Sequence, residues 1–265
     1  MKYQLSGTVM QTVEIDLEPG EVMYSQTNCM CWMNDAIDMT THTGGGLFAG
    51  LKRSLGGGSF FVTDFTAQRG KGHVAFAPRF PGTIMPVTLE AGQSLICRKE
   101  TFLCAQKSVT LEIAWQQRLG AGFFGGQGFI LQKVTGPGTV FLDLSGEVVE
   151  RTLAAGERLL VHAGHVGLME PSIGFDIQMM KGFRNILFGG EGLFLATLTG
   201  PGKVALQSMP IMNLAEEIGR YLPGNNENTS SAIRGGVGGA VAATAVGGIL
   251  GSILGGGGNS DDNDA

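Results

Sequence analysis

Leu17-Glu18-Pro19-Gly20-Glu21, Leu89-Glu90-Ala91-Gly92-Gln93 and Leu153-Ala154-Ala155-Gly156-Glu157 are three versions of one turn, and their recurrence decides the fold. Well downstream of each stands a spaced glycine pair: Gly70-Lys71-Gly72, Gly136-Pro137-Gly138 and Gly200-Pro201-Gly202. Ahead of the pairs run Ser59-Phe60-Phe61-Val62, Gly128-Phe129-Ile130-Leu131 and Gly192-Leu193-Phe194-Leu195, which read as matching strands. The second and third copies hold register, with Gly92 to Gly156 and Gly136 to Gly200 both 64 residues apart. The first copy carries an insertion near Ala67–Arg69. A long period made of strands and glycine turns reads as one β-unit used three times. No copy of such a unit carries a unique catalytic constellation by default.

Alternation fills the repeats. In Val13-Glu14-Ile15-Asp16-Leu17 the apolar residues fall on one side and the carboxylates on the other. Leu111-Glu112-Ile113-Ala114-Trp115 and Phe175-Asp176-Ile177-Gln178-Met179 do the same. Period two marks a strand with one buried and one wet face. The fold class expected is therefore all-β: three sandwich-like repeats across residues 1–211, with a short helix and a Gly/Ala-rich C-terminal segment. Glycine, 44 of 265 residues, is about twice its usual share of roughly 7 %, as many tight turns require.

Residues 212–222 leave this pattern. Asn213 reads as an N-cap, acidic residues follow, and Leu214, Ile218 and Leu222 recur at helical spacing before Pro223-Gly224 stops the run. Residues 223–234 read as a linker. In 235–254, Gly235, Gly239, Ala243, Gly247 and Gly251 fall every fourth residue, and Gly255 continues the stripe into the tail, residues 255–265. A helix with that stripe would pack closely against another helix in or on a membrane. The competing reading is a glycine-rich coil, because each Gly costs a helix about 1 kcal/mol relative to Ala.

Charge and cysteine usage narrow the partners. The net charge of −5 weighs against nucleic acid, which selects clustered Lys and Arg. Met1-Lys2-Tyr3-Gln4-Leu5 runs into polar residues without the apolar core of a signal peptide, so a cytoplasmic, reducing setting is expected. Cys29 and Cys31 read as one face of a strand, and Cys97 and Cys104 as neighbours across a hairpin. A Cys-x-Cys pair without a second pair at finger spacing reads as buried thiols, not a zinc site. No cofactor or metal is expected.

The threefold β-repeat, the Leu-x-x-Gly turns and the Gly-Pro-Gly strand ends resemble the AIM24 family over roughly residues 1–211. The resemblance implies three units like the tryptophan RNA-binding attenuation protein, arranged about a pseudo-threefold axis. It supplies no catalytic residues. Its mitochondrial members are linked to inner-membrane organisation.

Three sets of residues carry what chemistry the chain offers. Asp38, Glu112 and Asp176 read as equivalent acidic positions, either a converging carboxylate ring or the wet faces of three strands. His162-Ala163-Gly164-His165 reads as a solvated turn, or as one that brings two imidazoles together. Three glycine-framed loops mix apolar and basic side chains: Leu47, Phe48, Leu51, Lys52 and Arg53; Arg118, Phe123 and Phe124; Lys181, Phe183, Arg184, Leu187 and Phe188. Such loops suit an anionic membrane surface or a protein groove, or fold back to cap the cores. Gly44–Gly46 and Gly56–Gly58 precede strands, not helices, and so do not read as phosphate loops.

The functional expectation is a non-catalytic scaffold or adaptor that engages protein partners or itself, associated with a membrane through these loops and the C-terminal segment. The alternative is a small-ligand or RNA-binding module using clefts between repeats.

Overall fold

Backbone amides and carbonyls in this chain are satisfied mainly between strands, and one pairing scheme recurs along the sequence. The computed structural model describes residues 1–26, 29–43, 61–117, 129–179 and 194–221. Two compact units divide the chain: residues 1–116 with 130–218, which hold the sheets, and residues 117–129 with 219–265.

Strand β1 (Lys2–Ser6) leads into a first set of six: β2 (Thr12–Leu17), β3 (Val22–Gln26), β4 (Met30–Met33), β5 (Ile37–Thr43), β6 (Phe61–Ala67) and β7 (Gly72–Phe76). The second set is β8 (Gly82–Leu89), β9 (Ser94–Arg98), β10 (Phe102–Gln106), β11 (Thr110–Gln117), β12 (Phe129–Thr135) and β13 (Gly138–Ser145). The third is β14 (Val148–Leu153), β15 (Arg158–His162), β16 (Val166–Met169), β17 (Gly174–Met179), β18 (Phe194–Thr199) and β19 (Gly202–Gln207). Helix α1 (Ile211–Tyr221) follows.

Within each set the first strand pairs the sixth, the third pairs the sixth, and the fifth lies between the second and fourth. The pairings β2 with β7, β8 with β13, β14 with β19 and β3 with β6 are antiparallel, as hairpin connections favour.

The repeated turn joins the first and second strands of each set. Glu21 N donates to the carbonyl of Glu18 at 2.9 Å, Gln93 N to Glu90 at 3.0 Å and Glu157 N to Ala154 at 3.0 Å. Gly20, Gly92 and Gly156 take φ of 87°, 82° and 78°. A four-residue turn with positive φ at its third position is type II, which is why glycine stands there and why Pro19 fits the second position. The last side chain closes each turn: Glu18 N donates to Glu21 Oε2, Glu90 N to Gln93 Oε1 and Ala154 N to Glu157 Oε2, at 2.8, 2.8 and 2.7 Å.

Apolar residues on alternating strands build two adjoining cores. One gathers Val13, Ile15, Phe65, Phe76 and Phe141. The other gathers Tyr24, Leu111, Val140, Leu142 and Leu144. Strand β13 sends Phe141 to the first and its neighbours to the second, so it is apolar on both faces. Each fully buried side chain of this size contributes about 1.5–3 kcal/mol of transfer free energy.

The helix begins one residue earlier than its sequence suggests. Asn213 lies inside the first turn instead of capping it, and the Pro210 carbonyl accepts from Asn213 N at 2.9 Å. The first turn holds no acidic residue. Leu214 is half-buried while Ile218 is exposed, so the expected stripe packs only at its start.

Candidate functional site

Successive sets share sheets, and the seams where they do so are the most distinctive chemistry of the described residues. The sheet β5-β6-β3-β10-β13-β8 joins the second strand of the first set to the third strand of the second. The sheet β11-β12-β9-β16-β19-β14 repeats this one set later. Across the first seam Cys104 faces Ser25, Ala105 faces Tyr24 and Gln106 faces Met23. Across the second, Leu168 faces Cys97 and Met169 faces Ile96.

Side chains lock both seams. Ser25 Oγ donates to the Leu103 carbonyl at 2.7 Å and Gln26 Nε2 to the Lys99 carbonyl at 3.3 Å. One set later Arg98, 4 % exposed, donates from Nη1 to the Gly164 carbonyl at 2.9 Å. Buried hydrogen bonds to a charged donor are worth more than neutral ones, about 1.5–3 kcal/mol.

Among the described residues the third set has no successor and the first has no predecessor. Strand β15 ends the sheet β15-β18-β17, and β4 ends the sheet β1-β2-β7-β4. Among the described residues, these are the strands left at an edge whose counterparts in the other sets are internal. Trp32, Met33 and Leu160 are 47, 36 and 62 % exposed there. Their counterparts at the first seam are Cys104, Ala105 and Tyr24, each 0 % exposed, and at the second seam Ile96, the counterpart of Leu160, is half-buried. The sequence shows this poorly, because Met30–Met33 and Arg158–His162 look like any half-apolar strand.

The residues expected to carry partner or membrane contacts lie outside the described residues. These are Leu47, Phe48, Leu51, Lys52, Arg53, Arg118, Phe123, Phe124, Lys181, Phe183, Arg184, Leu187 and Phe188. So do Gly44–Gly46, Gly56–Gly58 and the stripe of Gly235, Gly239, Ala243, Gly247, Gly251 and Gly255.

The acidic trio does not occupy equivalent places. Asp176 pairs with Thr197, whose counterpart Asp64 pairs with Thr40, so Asp38 stands two residues out of register. Asp38 instead pairs with Arg69, and Asp176 accepts from Gln178 Nε2 at 2.8 Å. No cluster of three or more metal-ligating side chains occurs among the described residues.

His162 and His165 do meet, with ring centroids 5.7 Å apart. Their turn is half-buried, not solvated. Burial, His165 and Arg98 together hold the His162 imidazole below its ordinary value. A neutral imidazole beside a guanidinium is a poor place for a cation.

The cysteines need two corrections. A bulge between Met30 and Trp32 makes Cys31 an extra residue, so Cys31 is exposed while Cys29 is buried. Cys97 and Cys104 lie in different sheets, because a 3-10 turn at Lys99–Thr101 carries the chain from one to the other. None of the four is in a disulfide. Burial raises every thiol, Cys97 to about 12, so none is an activated nucleophile. In dilute native protein at pH 8, one thiol, Cys31, is expected to react with Ellman's reagent and all four after unfolding. Rapid native reaction of two or more would contradict this packing.

A shallow depression of about 180 Å³ lies beside the first seam, bordered by Glu21, Val22, Gln106 and Lys107. Small-molecule pockets run to about 300–1,000 Å³.

These features define an all-β protein whose sheets are shared between successive stretches of chain. The chain belongs to the AIM24 family: the family model described as mitochondrial biogenesis AIM24 matches residues 3–209. An uncharacterized protein of Streptococcus pyogenes serotype M6 is 31 % identical over 220 residues, 80 % of this chain and 86 % of the relative. A crystal structure of a Streptococcus pyogenes protein is similar with a TM-score of 0.66 and 27 % identity, covering 83 % of this chain and 99 % of that one.

Proposed function

We propose that this protein is a non-catalytic scaffold or adaptor that works by strand pairing at its two uncovered sheet edges. The observation that carries the reading is the exposure of Trp32, Met33 and Leu160 on β4 and β15, at places filled at the first seam by the buried Cys104, Ala105 and Tyr24. An edge strand offers a row of backbone donors and acceptors, and apolar side chains beside it add affinity. Proteins usually blunt such edges with charge or proline. Here the exposed positions are Trp, Met and Leu.

The reading includes a membrane arm. Among the described residues no helix is long and apolar enough to cross a membrane. The membrane contact proposed here rests instead on residues 235–254 and the three apolar-basic loops, by their sequence.

Affinity purification from cells tests the scaffold role. Proteins captured by the full chain should be reduced at least fivefold by Trp32→Lys with Leu160→Lys, both at exposed positions, with the melting temperature unchanged. An unchanged set of captured proteins removes the edges from the function. Fractionation of the full chain beside a 1–224 truncation tests the membrane arm. The full chain should sediment with membranes and the truncation should not, and equal partitioning rejects it.

A further inference from the structure

The two built seams specify what would fit the open edges. Alignment through the bulges places Trp32 where Cys104 and Leu168 stand, since Trp32 faces Ala75 as Cys104 faces Phe141 and Leu168 faces Ala205. Alignment through the strand registers places Leu160 where Tyr24 and Ile96 stand, since these face Thr197, Asp64 and Lys133 respectively on equivalent strands. A seam of the same register therefore sets Trp32 opposite Val161, Met33 opposite Leu160 and Asn34 opposite Leu159.

Charge agrees with that register. At the first seam Lys107 N donates to the Val22 carbonyl at 3.1 Å. The counterparts of Lys107 and Val22 are Asp35 and Arg158, both exposed and of opposite sign. Apolar residues would meet in the centre and an ion pair at the rim.

Within one chain this seam is absent: β4 and β15 belong to different sheets. Each is fully paired along its inner side, β4 with β7 and β15 with β18. We propose that β4 of one chain pairs antiparallel with β15 of a second copy, completing a sheet β1-β2-β7-β4-β15-β18-β17. The proposal rests on the edge-pairing reading above and names its partner. Because β4 meets β15 and not itself, the contact is head-to-tail, so each added copy leaves one edge of each kind open until a ring closes.

The test uses the full chain carrying Cys31→Ser, which removes the exposed thiol. One preparation carries Met33→Cys and the other Leu160→Cys. Directly paired strand residues lie within disulfide range, with Cα atoms about 4.5–5.5 Å apart. Mild oxidation of the mixture should give a band of twice the chain mass on a non-reducing gel, which neither preparation gives alone. No such band overturns the proposal. A chain carrying both cysteines that links only within itself also overturns it, since its own β15 would then occupy β4. Light scattering gives an independent reading: the wild-type chain should exceed its single-chain mass, and Leu160→Lys should restore that mass with an unchanged melting temperature. A single-chain wild type, or no change on substitution, refutes it. If the pure protein does not self-associate yet the edge variants lose captured proteins, the scaffold reading survives and this one falls. If it self-associates and capture ignores the edges, the reverse holds.

Discussion

Gly136→Ala is expected to lower the stability of this protein by about 3 kcal/mol, with Gly200→Ala close behind, because each new methyl would meet backbone and not a movable side chain. A Cβ built on Gly136 lies 2.5 Å from the carbonyl oxygen of Glu90 and 2.6 Å from that of Leu89. One built on Gly200 falls onto the carbonyl oxygen of Ala154, with that of Leu153 at 2.8 Å. Those carbonyls belong to the Leu-x-x-Gly turns, so turn and glycine pair are one packed element in the second and third sets. The same glycines donate across the contact, Gly136 N to Gln93 and Gly200 N to Glu157, at 3.0 and 2.9 Å. Shifting the chain to admit a methyl weakens that bond as well, a further ~1 kcal/mol. Thermal unfolding should move down by roughly 10 °C for either variant. Gly92→Ala is the comparison: nothing lies within 4 Å of its Cβ, and only its φ of 82° resists alanine, for about 1–2 kcal/mol. A melting point for Gly136→Ala within a degree or two of wild type would show that this contact relaxes freely.

The first set differs from that expectation in sequence and agrees with it in geometry. Ala67 makes the bond that Gly136 and Gly200 make, donating from its N to the Glu21 carbonyl at 3.1 Å. It is still the last residue of β6, whereas Gly136 and Gly200 lie beyond the ends of β12 and β18. The inserted residues give the chain a different exit, with Gln68 N and Arg69 N both donating to the Ala36 carbonyl.

This marks the boundary of what the sequence discloses. Turns and alternation are local, so Gly20, Gly92 and Gly156 and the buried Val13, Ile15 and Leu17 were legible. Pairing between sets is not local. Nothing in Cys104 or Ser25 says that they face each other across 79 residues, and the sharing of sheets is not legible for that reason. Bulges hide as well: one extra residue at Cys31 reverses a side chain that alternation assigns to the interior. The open edges are hidden for both reasons, since only the first seam, with Cys104 and Tyr24 buried, reveals what Trp32 and Leu160 stand in place of.

Asp143→Asn is expected to stabilise the protein, and to do so increasingly as pH rises from 4 to 7. Asp143 lies on β13 facing Ile84, is 4 % exposed, and its Oδ1 has no hydrogen-bond partner among the described residues. Burial pushes its carboxyl up to about 7, and the Arg79 guanidinium only partly offsets this. For an acid raised in this way the folded state binds more protons than the unfolded chain, whose aspartate titrates near 3.9. Stability therefore falls as pH climbs through that window, by about 1.4 kcal/mol per unit, and levels off above the folded value. The third set shows the alternative in place: Gln207, the counterpart of Asp143, accepts from Ser145 N at 3.0 Å and donates to the Gly164 carbonyl at 2.8 Å. A neutral amide keeps the shape and removes the buried charge. Two other groups complicate the wild-type curve alone. The Met1 ammonium holds the Glu21 carboxyl below its ordinary value, so its contribution is lost only in acid. His162, held low by burial, gains stability as pH rises toward its ordinary value of 6.5 and opposes Asp143 over part of the range. Both cancel when variant and wild type are compared by urea unfolding at matched pH. The difference should be on the order of 1 kcal/mol at pH 5 and on the order of 4 kcal/mol at pH 8. A difference that stays constant with pH would mean that Asp143 is ionised at ordinary values in the folded chain, with Arg79 compensating its burial in full.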